Sequence, residues 1–193
     1  MPDDERFVQA VRTACHDLRT PLAVVAGFAR TIARTELATP TDRHVQMIVD
    51  AADQLDELID ELSIMVSIQS GRFSPTLSQV DSLALARAAA AELTEDRVEV
   101  SGVGETVRVP EKETRRAVRQ LARAAARHGG VDSVRLDVQG ASLTISPVTR
   151  ASAPVLLGDD SKELGALAAA ALVRALEGSV EVEGERLVVQ LPS

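Results

Sequence analysis

The stretch that decides the fold is Cys15-His16-Asp17-Leu18-Arg19-Thr20-Pro21-Leu22. Apolar residues recur around it every three or four positions, at Val11, Cys15, Leu18, Leu22, Val25, Ala29 and Ile32. This spacing is typical of a helix packed in a bundle or coiled-coil seam. Because His16 falls one position outside that seam, we expect its imidazole to face solvent beside a helical core.

Helical periodicity on both sides of this stretch predicts two long helices. The first runs over about residues 3–37, and Pro21 removes a backbone donor, which predicts a kink just after His16. Residues 39–42 predict a turn, with Thr39 as the cap of a second helix over about 40–70. Because two helices with narrow apolar stripes form only half a core, a symmetric homodimer would complete a four-helix bundle.

The second predicted helix carries acidic residues between its apolar positions. They are Asp50, Asp53, Asp56, Glu57, Asp60 and Glu61. A run of like charges on one side of a helix is typical of a solvated face. We interpret these carboxylates in that way.

A change of periodicity after residues 71–75 divides the chain into two predicted domains. Residues 1–72 form the helical hairpin, and residues 76–193 carry alternating helix and strand patterns. The element order α, β, β, repeated three times, predicts a sheet with helices on one face. The predicted fold class is therefore α+β. Separately, residues 147–160 are predicted to form a loop.

Composition excludes several classes of function. A net charge of −8 and 2% aromatic residues argue against a nucleic-acid surface. The single cysteine, Cys15, excludes an internal disulfide and favours a reducing compartment. No apolar run approaches the roughly 18 residues of a membrane span, and the N-terminus is acidic, so we predict a cytoplasmic protein without membrane contact. The three histidines have no metal-ligand spacing, which predicts no metal site.

Residues 16–22 resemble the phosphoacceptor box of bacterial sensor histidine kinases. The resemblance implies that His16 is the phosphoacceptor, that Asp17 matches the acid that acts as a base in autophosphorylation, and that Thr20 positions water when a partner is dephosphorylated. If ATP is not used, Asp17 orients the ring by accepting a hydrogen bond from its distal nitrogen. It also implies a dimerisation and phosphotransfer hairpin followed by a Bergerat-like ATP-binding α/β sandwich. Partner contacts are expected on the exposed face near His16, at Arg19, Ala23, Val24 and Phe28.

The second domain departs from that family in three places. The helix that matches its asparagine-rich box has Ala124 at the key position, and an alanine methyl group cannot ligate magnesium. Residues 145–150, which match the adenine-reading box, contain neither Asp nor Gly. The last box keeps one glycine, Gly165, too few for a backbone that wraps a triphosphate. We therefore predict that ATP binding is lost and that the chain needs no cofactor.

This combination resembles the dimeric ChpT-type histidine phosphotransferases, which are built on a degenerate kinase fold. It implies a phosphotransferase that carries a phosphoryl group on His16 between aspartates of response regulator receiver domains or of a hybrid histidine kinase. The receiver would supply the Mg²⁺. Two alternatives stay open: a pseudokinase scaffold that carries no phosphate, and an active kinase with a divergent ATP site.

Overall fold

The structure is a computed structural model that describes residues 3–34, 41–93, 97–160 and 162–192. The chain divides into two compact units, Met1–Arg72 and Phe73–Ser193. Within the described ranges, no helix combines the length and apolarity needed to cross a membrane.

The first unit is a hairpin of two helices, α1 over Asp3–Ala33 and α2 over Thr41–Gln69. α1 continues through Pro21 and is shorter than predicted, because Arg34 already lies in a turn. The predicted cap at Thr39 lies outside the described residues. The hairpin core consists of small and β-branched side chains, namely Cys15, Ala26, Ala29, Val45, Val49, Ala52, Ile59 and Val66.

Three residues of the predicted seam are not covered within the hairpin. Leu18, Val25 and Ile32 are 55%, 49% and 44% exposed, and their spacing of seven residues places them on one side of α1. On α2, Ile48 and Leu55 are also seven residues apart and are 47% and 52% exposed. We call these five residues the apolar ladder.

The two halves of the apolar ladder lie next to each other. Arg19 pairs with Asp60 and Arg30 pairs with Asp53, which fixes the antiparallel register of α1 and α2. In that register Val25 lies level with Leu55. At 3.6 residues per turn, the ladder and the ion pairs fall on opposite sides of the core stripe on both helices. The hairpin therefore has one apolar face and one charged face.

The second unit alternates strands and helices. In chain order its elements are β1 Ser78–Asp81, α3 Ser82–Ala91, β2 Arg97–Gly104, β3 Thr106–Val109, α4 Glu111–Gly129, β4 Ser133–Gly140, β5 Ser142–Ser146, α5 Ala153–Leu157, α6 Leu164–Ala175, β6 Ser179–Glu183 and β7 Arg186–Gln190. β1 was not predicted from the sequence. The predicted loop over residues 147–160 is corrected as well, since it contains the short helix α5.

The main sheet has five strands in the order β2-β4-β5-β7-β6. β2 pairs with β4 in parallel, and the other neighbours are antiparallel. Along β4, Val134, Leu136 and Val138 are buried while the residues between them are more exposed, so the helices cover one face of the sheet. β1 and β3 form a separate antiparallel pair. The predicted α+β class, a helical hairpin followed by a mixed sheet with helices on one face, is confirmed.

Candidate functional site

His16 lies in the first half of α1 and is exposed, as its position outside the apolar seam predicts. Its predecessor Cys15 is buried in the hairpin core, so the helix turns from core to solvent between these two residues. Pro21 cannot donate the backbone hydrogen bond that would close the turn beginning one residue after His16. His16 is thus exposed on the charged side of the hairpin.

Arg19 follows His16 by three residues, a spacing that makes them neighbours on a helix surface. Its Nη2 donates to Asp60 Oδ1 of α2 at 2.6 Å and to Ser63 Oγ at 3.5 Å. The Ser63 hydroxyl in turn donates to the carbonyl of Ile59 at 2.7 Å. One residue of the predicted partner surface is therefore held in place by α2.

The remaining predicted partner residues are exposed, as is Thr20. Helical geometry places His16, Thr20, Ala23 and Gly27 on one face of α1. Val24 and Phe28 lie on the flank of α1 that points away from Asp60 and Asp53. The side chain of Asp17 lies outside what the structure describes.

Sequence analysis did not identify Asp60 and Ser63 as part of this site. Asp60 was interpreted as a member of a solvated acidic face, and Ser63 carried no signal. That interpretation is wrong for Glu61, which is 3% exposed. The separations between Arg19 and Arg30 and between Asp53 and Asp60 place each pair on one side of its helix. In an antiparallel hairpin the arginine side of α1 can face the aspartate side of α2, and this complementarity is the signal that could have identified both ion pairs.

The second unit has a polar cluster between α4 and the start of α6. Glu163 is 8% exposed, and its carboxylate lies 2.7 Å from His128 Nε2 and 3.5 Å from Arg123 Nη2. We call Arg123, His128 and Glu163 the α4–α6 cluster. Nearby, the Lys162 ammonium hydrogen-bonds to Asp160 and holds the pKa of that exposed carboxyl below its usual range.

Three stretches of the second unit were compared with the nucleotide-binding boxes of kinases: the one around Ala124, residues 145–150, and the one around Gly165. Ala124, at the position of the asparagine, is fully buried in α4. A side chain on Gly165 would meet the carboxamide of Gln120, so that side of the glycine is already filled. Ile145 and Val148 are buried. Oxygen ligands for magnesium are absent from Ala124, and the described residues contain no group of three or more acidic, His or Cys side chains that could hold a metal ion.

A cavity of about 320 Å³ lies elsewhere in the second unit. It is lined by residues of β2, β4, β5 and β7 and by the residues next to them, including Arg135, Ser146 and Arg186. No lining residue comes from α4 or α6, but Ser146 and Pro147 belong to residues 145–150, the stretch compared with the adenine-reading box.

Residues 8–71 match the family model of the His Kinase A (phospho-acceptor) domain. This HisKA region contains α2 and most of α1, with His16 and both inter-helix ion pairs. No curated protein sequence is similar enough to match the chain.

Solved structures of histidine kinases share the fold. Full-length ShkA in complex with AMPPNP is 20% identical with a TM-score of 0.64, over 94% of this chain and 44% of ShkA. The histidine kinase AdeS of Acinetobacter baumannii is 15% identical with a TM-score of 0.57, over 90% of this chain and 94% of AdeS. The cytoplasmic segment of the histidine kinase QseC is 12% identical with a TM-score of 0.50, over 72% and 93% of the two chains.

The chain therefore has a histidine kinase-like fold, with a HisKA phospho-acceptor region followed by a domain that resembles the histidine kinase ATP-binding fold. It spans less than half of ShkA, the first of these structures.

Proposed function

We propose that this chain is a histidine phosphotransferase of a two-component phosphorelay. His16 would carry a phosphoryl group between aspartates of response regulator receiver domains, or of a hybrid histidine kinase, in the cytoplasm. The observation that carries this proposal is the exposed imidazole of His16 within the HisKA region. An exposed ring on a helix can be reached by the active site of a partner.

The proposed transfer needs no group from the second unit. The unprotonated nitrogen of a neutral His16 ring attacks the phosphorus of a receiver's aspartyl phosphate. The N–P bond forms while the O–P bond breaks, and the electron pair leaves with the receiver's carboxylate. The ring keeps its proton on the other nitrogen and becomes positively charged. Transfer to a second receiver reverses these events, and each receiver brings its own Mg²⁺.

The residues between α4 and α6 support a function without ATP. Ala124 offers no oxygen ligand, and the side chains of Arg123 and His128 contact the Glu163 carboxylate, where a nucleotide site would need them for a phosphate group. These residues do not fit magnesium and a triphosphate, so no step of the mechanism passes through ATP.

The apolar ladder supports a homodimer as the working form. Five large apolar side chains form one continuous face, and a second copy of the hairpin would cover them in a four-helix bundle. Because His16 lies on the charged side, the same pairing would leave both imidazoles accessible. A pseudokinase scaffold is the second candidate function. It is favoured by the α4–α6 cluster, in which Glu163 contacts both Arg123 and His128.

Phosphoryl transfer tests the proposal. The wild-type chain and His16→Ala are incubated with a phosphorylated receiver domain and, separately, with labelled ATP and Mg²⁺. We expect acid-labile label from the receiver only, and only when His16 is present. Label from ATP alone would establish a kinase, and no label from a panel of receivers would favour the scaffold.

A further inference from the structure

The ion pair between Arg19 and Asp60 lies about one helical turn from His16. Arg19 lies one helical turn from His16, and its guanidinium is held against α2 on the charged side of the hairpin. An anion on the exposed His16 ring would therefore lie within reach of a cation whose direction is fixed by a second helix.

The way in which Arg19 is held leaves part of its guanidinium for a second anion. Among the described residues, both of its side-chain hydrogen bonds use Nη2, one to Asp60 and one to Ser63. A guanidinium has five N–H donors in a planar fork, and it can bind a carboxylate and a phosphoryl group at the same time. The side chain of Arg19 is 43% exposed, so an incoming group can reach its other nitrogens.

Resting on the phosphotransfer function proposed above, we propose that Asp60 is a positioning residue for transfer at His16 and acts through Arg19. Asp60 and Ser63 fix the guanidinium so that Nη1 and Nε point towards the phosphoryl oxygens while the N–P bond forms and the receiver's O–P bond breaks. The positive charge of Arg19 stabilises the oxygens of the transferring group. Because Asp60 already restrains the Arg19 side chain, Arg19 loses less conformational entropy when it binds the phosphoryl group in the transition state.

The test measures single-turnover transfer from a phosphorylated receiver at varied receiver concentration. Arg19→Gln should lower the maximal rate about tenfold or more, the size expected for a lost hydrogen bond to a charged group. Asp60→Ala should lower the maximal rate several-fold, and the receiver concentration at half-maximal rate should stay unchanged. Asp60→Glu, which keeps the carboxylate, should recover most of the loss. Phosphoramidate is a small donor that needs no docking surface, and the rates at which it phosphorylates the variants should fall in the same order.

The hairpin provides a matched control in its other ion pair. Arg30 and Asp53 also join α1 to α2, but Arg30 lies about four turns from His16. Asp53→Ala should leave the maximal rate at the wild-type value. If Asp53→Ala slows transfer as much as Asp60→Ala, or if Asp60→Ala transfers at the wild-type rate, the positioning role is wrong. A wild-type chain that takes no label at His16 from any donor would instead contradict the phosphotransfer function itself.

Discussion

Small side chains on the His16 face give a partner access to the imidazole. Ala23 is exposed two turns after His16, and a side chain added at Gly27 would meet no atom within 4 Å. A helix face without bulky groups lets another backbone approach closely. We infer that steric access near Ala23 controls how well a receiver docks, whereas the chemistry depends on His16 and the residues around it.

Bulk at Ala23 should therefore impair docking without impairing chemistry. Ala23→Trp should raise the receiver concentration at half-maximal transfer about tenfold, equivalent to the loss of about 1.4 kcal/mol of binding free energy. Phosphorylation of His16 by phosphoramidate should be unchanged, because that donor is small. Gln54→Trp places a tryptophan on an exposed position of α2 that lies away from both this face and the apolar ladder, and it serves as the control. An unchanged concentration dependence in Ala23→Trp would exclude this face from docking.

At the scale of elements, the α4–α6 cluster ties two helices together. Glu163 precedes α6 and contacts side chains of α4 that are 40 and 35 residues away along the chain. Such long-range contacts stabilise the packing of the start of α6 against α4. The Glu163 carboxylate thus contributes to the stability of the second unit.

Removal of Glu163 should destabilise the second unit. Glu163→Ala deletes hydrogen bonds that involve charged partners, and we expect a loss of about 1.5–3 kcal/mol in the free energy of unfolding. Urea unfolding of the full chain, followed by hydrogen exchange of α4 and α6 amides, measures it. Asp160→Ala is the control, because the Asp160–Lys162 pair is local and exposed. Equal unfolding midpoints for Glu163→Ala and wild type would contradict the stabilising role.

The sequence predicts the helices and strands better than it predicts which of them pair with or contact one another. The helical hairpin follows from its periodicity, and most strands follow from alternating β-branched residues. β1 was missed because Ser78–Asp81 has a single apolar residue and is ordered by pairing with β3. The parallel pairing of β2 with β4 is a long-range choice that local pattern does not contain. Likewise, the position of His16 is visible in the sequence, whereas the contact between Arg19 and Asp60 exists only once the hairpin register is set.

At the scale of the whole molecule, the apolar ladder predicts the oligomeric state. A single charge in the middle of this face should prevent two hairpins from pairing, since a buried unpaired carboxylate is costly. Val25→Asp should therefore halve the mass that light scattering measures for the wild-type particle. Val24→Asp changes the neighbouring exposed valine outside the ladder and should keep the wild-type mass. A Val25→Asp protein with the wild-type mass would contradict the proposed dimer face.

If two copies pair along the apolar ladder as proposed, signalling capacity would depend on protein abundance. In the two-copy bundle, each hairpin completes its core only by association, so hairpin stability and pairing are linked by mass action. When the chain is scarce, the number of complete bundles rises with the square of its concentration. A twofold change in expression would then change the number of competent phosphate carriers about fourfold, until most copies are paired. The dose of the protein, and not only the supply of phosphate, would set how much signal the relay can conduct.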